Sequence, residues 1–133
     1  PSVRENGTDY LLTSKRIRDY MELYLQNETD RNSPYFAPLL APDLGGQPDT
    51  LVITAEYDPL RDEGEAYAKK LRAFGNQVTL YRVKDALHGY FSLPLRFAQV
   101  KETYGYINAF LNEHPKNGQI VELLNQISKK NKD

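Results

Sequence analysis

The chain has 133 residues, 40% of them hydrophobic and 26% charged, a globular composition rather than that of a disordered segment. Its 17 basic and 18 acidic side chains are interspersed and leave a net charge of −1, so nothing electrostatic recommends nucleic acid or an anionic membrane as a partner. The absence of cysteine excludes disulfides, thiolate metal sites and thiol catalysis, and the two histidines, His88 and His114, are too dispersed for a local metal motif.

The segment Pro1 to Asp9 is polar and lacks the apolar stretch of a signal peptide. No apolar run approaches the roughly 20 residues of a membrane span. A cytoplasmic location is the resulting expectation, and the missing initial Met suggests a processed or truncated start. No internal repeat is visible.

From Thr13 to about Gln26 the pattern is helical, with Ile17, Tyr20, Met21 and Tyr24 on one stripe and Ser14 or Thr13 available as N-cap. Residues 27 to 49 are punctuated by Asn27, Asn32, Pro34, Pro38, Pro42, Gly45, Gly46 and Pro48 and read as a long loop. Thr50 to Ala55 is a β-branched, nearly continuous apolar run, as expected of a strand buried on both faces of a parallel sheet. A helix should follow from about Asp62 to Phe74. Asp62 and Glu65 have capping-box spacing, Tyr67, Leu71 and Phe74 form its apolar face, and Gly75 suits the position after its end.

Gln77 to Val83 reads as the next strand, completing a βαβ unit. A loop, Lys84 to Pro94, leads to a helix from about Leu95 to Glu113 with the stripe Phe97, Val100, Tyr104, Ile107 and Leu111. A last helix is expected over Gly118 to Ser128, with a frayed tail beyond it, and His114 near a helix end supplies a favourable C-terminal charge. The class is α/β. Two parallel strands cannot bury both faces and both edges of a sheet, so either further strands lie upstream in a longer chain or the edges pair with another copy.

Asp58 and His88 stand just beyond the two strands, at the carboxyl ends where open α/β sheets place their chemistry. A carboxylate that fixes a histidine's tautomer and stabilises its imidazolium needs such a juxtaposition. The competing reading of Asp58 is an N-cap for the helix starting near Pro59, and that of His88 is a loop histidine bonded to backbone. Asp62 and Glu63 are explained by the helix dipole. The ten tyrosines read as packing rather than as base-stacking platforms.

The stretches Ser33-Pro34-Tyr35-Phe36-Ala37-Pro38-Leu39, Asp58-Pro59-Leu60-Arg61-Asp62-Glu63-Gly64 and His88-Gly89-Tyr90 together resemble the C-terminal part of α/β-hydrolases of the hormone-sensitive-lipase-like esterase branch. The resemblance implies that Asp58 is the triad acid and His88 the triad base, with Tyr90 where the family has Phe. It also implies that helix 13–26 lies on the pocket and cap side, that residues 50–113 form the βαβ core, and that 114–133 are a terminal helix and tail.

The nucleophile elbow G-x-S-x-G and an HGGG-type oxyanion loop are absent from this sequence, since none of Ser2, Ser14, Ser33, Ser92 and Ser128 is flanked by the required glycines. Chain order in these hydrolases is Ser, Asp, His, so the serine is expected upstream. The chain then reads as a C-terminal piece of a carboxylesterase or lipase. It would act on small acyl esters without a cofactor and be inactive alone. Two rivals remain: a non-catalytic module that self-associates, as a homodimer, through its sheet edge, and another triad chemistry such as peptide or lactone hydrolysis. The residues that bind substrate are unknown at this level.

Overall fold

A computed structural model describes residues 1–113. The expected helix Gly118 to Ser128 and the end-charge role of His114 lie outside the described residues.

The chain opens with a short helix, α1 (Ser2–Asn6), followed by α2 (Ser14–Tyr24). Thr13, not Ser14, is the N-cap of α2: its hydroxyl accepts the backbone N–H of Arg16 at 3.3 Å. The stretch expected as loop holds only two 3₁₀ turns, Glu28–Asn32 and Pro38–Leu40. It is tied to the body of the protein by the buried Leu44 and by polar contacts. Lys70 donates to the carbonyls of Leu39 (2.7 Å) and Ala41 (2.6 Å), and Asn76 donates to that of Leu44 (2.6 Å).

Strand β1 (Thr50–Tyr57) pairs in parallel with β2 (Val78–Leu87), from Thr50 opposite Val78 to Ala55 opposite Val83. Between them runs α3 (Arg61–Ala73), so the expected βαβ unit is present. Alternation along the strands sends Thr54 and Arg82 toward α3, where both reach Glu65, while Ile53, Ala55 and Tyr81 face the final helix, α4 (Ala98–Glu113). Tyr81 stacks on Tyr106 of α4 with ring centroids 3.9 Å apart. The two helices thus cover opposite faces of the sheet.

Three expectations need correction, and one element was not expected. The capping box at Asp62 and Glu65 does not form, because Glu65 is drawn to Thr54 and Arg82 and the backbone N–H of Asp62 is capped by the hydroxyl of Ser2. Strand β2 does not stop at Val83: it runs to Leu87 through an irregularity in which Asp85 takes a positive φ of 55°. Helix α4 starts at Ala98 rather than Leu95, and its buried side is Val100, Thr103 and Phe110, with Tyr104 exposed. Thr103 can be buried because its hydroxyl meets the Tyr90 hydroxyl and donates to the Gln99 carbonyl. Finally, α1 had no counterpart in the hydrophobic pattern.

The C-terminus of α3 ends as expected. Gly75 adopts φ +85°, with Gly75 N–H bonded to the Arg72 carbonyl and Asn76 N–H to that of Leu71, a Schellman pair. Leu71 itself is 2% exposed and anchors α3 on the sheet. Leu71→Ala is expected to destabilise the domain by about 2–5 kcal/mol, read as a lower midpoint in urea unfolding. A loss under about 1 kcal/mol would show that α3 packs elsewhere.

Candidate active site

Asp58 follows the last residue of β1, and its carboxylate does two things at once. Oδ1 accepts the N–H of Leu60 at 2.8 Å, turning the chain into α3, while Oδ2 lies 2.8 Å from Nδ1 of His88. The helix begins later than Pro59, at Arg61 with Leu60 as its N-cap, so Asp58 does not take the expected N-cap position. Its Oδ1 instead closes a turn ahead of the helix, while the pairing with histidine is present.

His88 follows the last residue of β2. Gly89, next in the chain, has φ +76°, a left-handed turn that residues with a Cβ rarely adopt and that lets the chain fold back directly after the histidine. Tyr90 then anchors the loop on α4 through Thr103, and burial pushes its phenol above its ordinary pKa, which keeps it neutral. With Nδ1 engaged by Asp58, Nε2 is the ring nitrogen left to exchange a proton with another molecule. Asp58 is largely shielded, its side chain 15% exposed, whereas that of His88 is 38% exposed and can be approached.

The ring of His88 lies among clefts. One, of about 420 Å³, runs between α2 and the Phe36–Ala37 turn and is lined by Leu12, Ile17, Met21, Phe36 and Leu60, with Glu63 among its polar members. A second, of about 280 Å³, lies over the strand ends and includes Asp58, Gly64, Tyr90 and Phe91. The stripe of α2 thus lines a cleft, though none of its residues is fully buried. Among the described residues no group of three or more His, Asp or Glu side chains could hold a metal, and no helix is long and apolar enough to cross a membrane.

Residues not singled out by the sequence contact the turn that carries Asp58. The Arg61 guanidinium donates to the Glu56 carbonyl at 2.8 Å and pairs with Glu5 and Asp62. Ser2 and Asn6 of α1 reach the backbone of the same turn. Arg61 lies inside the motif and could have been suspected. For α1 there was no signal, because its buried side is polar.

The Ser2 backbone N–H and the Arg61 guanidinium hold the Asp62 carboxyl below its ordinary pKa, and the Arg82 guanidinium lowers that of Glu65. Both groups are more acidic folded than unfolded, so their stabilisation is present above the ordinary carboxylate range and is lost as pH falls. The folded protein is expected to lose stability progressively below about pH 4.5, and Glu65→Gln should flatten that decline in a series of thermal melts. An unchanged decline would show that the Glu65–Arg82 pair carries none of it.

Comparison with known proteins gives a consistent pattern. Residues 1–92 match the family model described as alpha/beta hydrolase fold. An arylesterase of Saccharolobus solfataricus is 42% identical over 105 residues, which make up 78% of this chain and 34% of that protein. The carboxylic ester hydrolase LipN of Mycobacterium tuberculosis is 42% identical over 88 residues, 65% of this chain and 23% of that protein. Among solved structures, a fungal esterase from Rhizomucor miehei superposes with a TM-score of 0.79 at 39% identity, over 84% of this chain and 35% of its own. The Pyrobaculum calidifontis esterase gives a TM-score of 0.75 at 35% identity, over 81% and 36% respectively. The chain spans about a third or less of the length of these relatives.

Proposed function

The chain belongs to the alpha/beta hydrolase fold family, and from that premise we propose that it supplies the acid and base of a carboxylic-ester hydrolase, Asp58 and His88. The observation that carries this reading is the 2.8 Å contact between Asp58 Oδ2 and His88 Nδ1 at the ends of two paired strands. A serine outside this sequence would attack the ester carbonyl, giving up its proton to His88 Nε2. His88 would pass that proton to the leaving alcohol, and a water activated in the same way would release the acid. Asp58 would hold the ring with Nε2 facing the reaction and stabilise the imidazolium. The apolar cleft beside α2 suits a small acyl or aryl group, and no step needs a cofactor.

The test uses a chimera in which this chain replaces the matching segment of the Saccharolobus solfataricus arylesterase. A folded chimera, verified by cooperative melting, should hydrolyse short p-nitrophenyl esters and react with a fluorophosphonate probe, while the chain alone should do neither. A folded chimera without turnover would sink the reading, and labelling of the chain alone would refute the external serine.

A second reading is favoured by the two-stranded sheet, whose described part leaves strand edges available. On it, the chain self-associates by edge pairing. A concentration-dependent dimer in size-exclusion chromatography supports this, and a strict monomer at high concentration removes it.

A further inference from the structure

We propose that Ser2 and Asn6 of α1 are positioning residues for the acid: they fix the backbone turn from which Asp58 reaches His88. This inference rests on the reading of Asp58 and His88 as a working pair.

Helix α1 has five residues, too few to be stable on its own. Two of them, Ser2 and Asn6, are 1% and 3% exposed, and both are polar. Buried polar groups need partners, and here the partners lie in or beside the acid turn, fifty or more positions away in the chain. The Ser2 hydroxyl donates to the Pro59 carbonyl at 2.8 Å and accepts the Asp62 N–H at 3.2 Å, while the Ser2 N–H donates to Asp62 Oδ2 at 2.7 Å. The Asn6 carboxamide donates to the carbonyls of Glu56 at 3.4 Å and Asp58 at 3.5 Å. Two of the three Ser2 bonds are short, at 2.7 and 2.8 Å. The longer Asn6 contacts fill the space between the carbonyl of Asp58 and that of Glu56 before it.

The geometry of Asp58 transmits this hold to His88. Oδ1 is bonded to the N–H of Leu60, so the carboxylate is locked to the backbone of its own turn and moves with it. A displaced turn therefore displaces Oδ2 from Nδ1, and hydrogen bonds weaken steeply with distance and angle. Helix α1 is itself wedged in place. A Cβ on Gly7 would come within 2.2 Å of the Val3 carbonyl and 2.1 Å of the Ser14 hydroxyl, so α1 and the start of α2 meet at a point that only glycine allows.

The test reads the pair directly, without turnover. In the 133-residue chain, the His88 Nδ1 proton held by Asp58 should give a far-downfield NMR resonance. Ser2→Ala and Asn6→Asp, the latter keeping size while replacing the donor by an acceptor, should each abolish that resonance or move it upfield. The amide signals of paired β1 and β2 should remain. An unchanged resonance in both variants, even with a lower melting temperature, would overturn the proposal by leaving the two residues a role in stability alone. Unfolding of both variants would overturn it too, by assigning them to the fold, and so would a wild-type chain lacking the resonance. Failure of ester hydrolysis in the chimera with the resonance intact and sensitive to these variants would refute the esterase reading and leave the positioning role standing.

Discussion

In the chimera, His88→Ala is expected to lower kcat for a short p-nitrophenyl ester by about 10⁶-fold, as loss of the general base does in serine hydrolases that share this constellation. The reason is geometric as well as chemical. The nucleophile depends on a base within hydrogen-bond reach, and among the described residues His88 is the one histidine, its Nδ1 2.8 Å from Asp58 Oδ2. KM should change little, because the cleft beside α2 keeps its apolar walls without the imidazole. Steady-state kinetics on the purified variant decides the matter. A fall of less than about tenfold would remove His88 from the chemistry.

Asp58→Asn is expected to cost less, about 10⁴-fold in kcat. The carboxamide oxygen can still accept the Leu60 N–H, so the turn into α3 and the fold should survive. What changes is the partner offered to His88 Nδ1. An amide NH₂ cannot accept the Nδ1 proton, so the ring takes the other tautomer and loses the free Nε2 lone pair that the serine needs. A melting temperature within a few degrees of the parent, combined with the large kinetic loss, is the expected signature. Equal losses of stability and activity would mean that Asp58 acts through the turn alone.

Much of this was legible in the sequence because the relevant signals were local. The apolar run from Thr50, the glycine after α3, and the polar segments after each strand place Asp58 and His88 at neighbouring strand ends, and the 2.8 Å contact follows from that placement. What escaped the reading depended on partners distant in the chain. Helix α1 buries Ser2 and Asn6, so a search for apolar periodicity passes over it, and only the carbonyls of Glu56, Asp58 and Pro59 explain its presence. The expected face of α4 held at Val100 but missed Thr103, which ranks as polar and whose burial depends on the Tyr90 hydroxyl. The apparent capping box failed for a related reason: Glu65 has a better partner in Arg82, with two contacts of 2.7 Å. The charged pair Lys84 and Asp85 looked like loop because an irregular strand carries residues that an ordinary ladder would not.

That irregularity has a consequence for how the sequence can drift. From the Ala55–Val83 pair to the Tyr57–Leu87 pair, β1 advances two residues while β2 advances four, and Asp85 absorbs the excess with its backbone N–H on the Glu56 carboxylate. Side chains alternate from face to face along a strand, so gaining or losing a single residue here would turn His88 away from Asp58. Between Val83 and His88 the number of residues is thus as constrained as the buried Val83 and Ala86 themselves, and a one-codon deletion there would do more harm than a substitution at exposed Lys84.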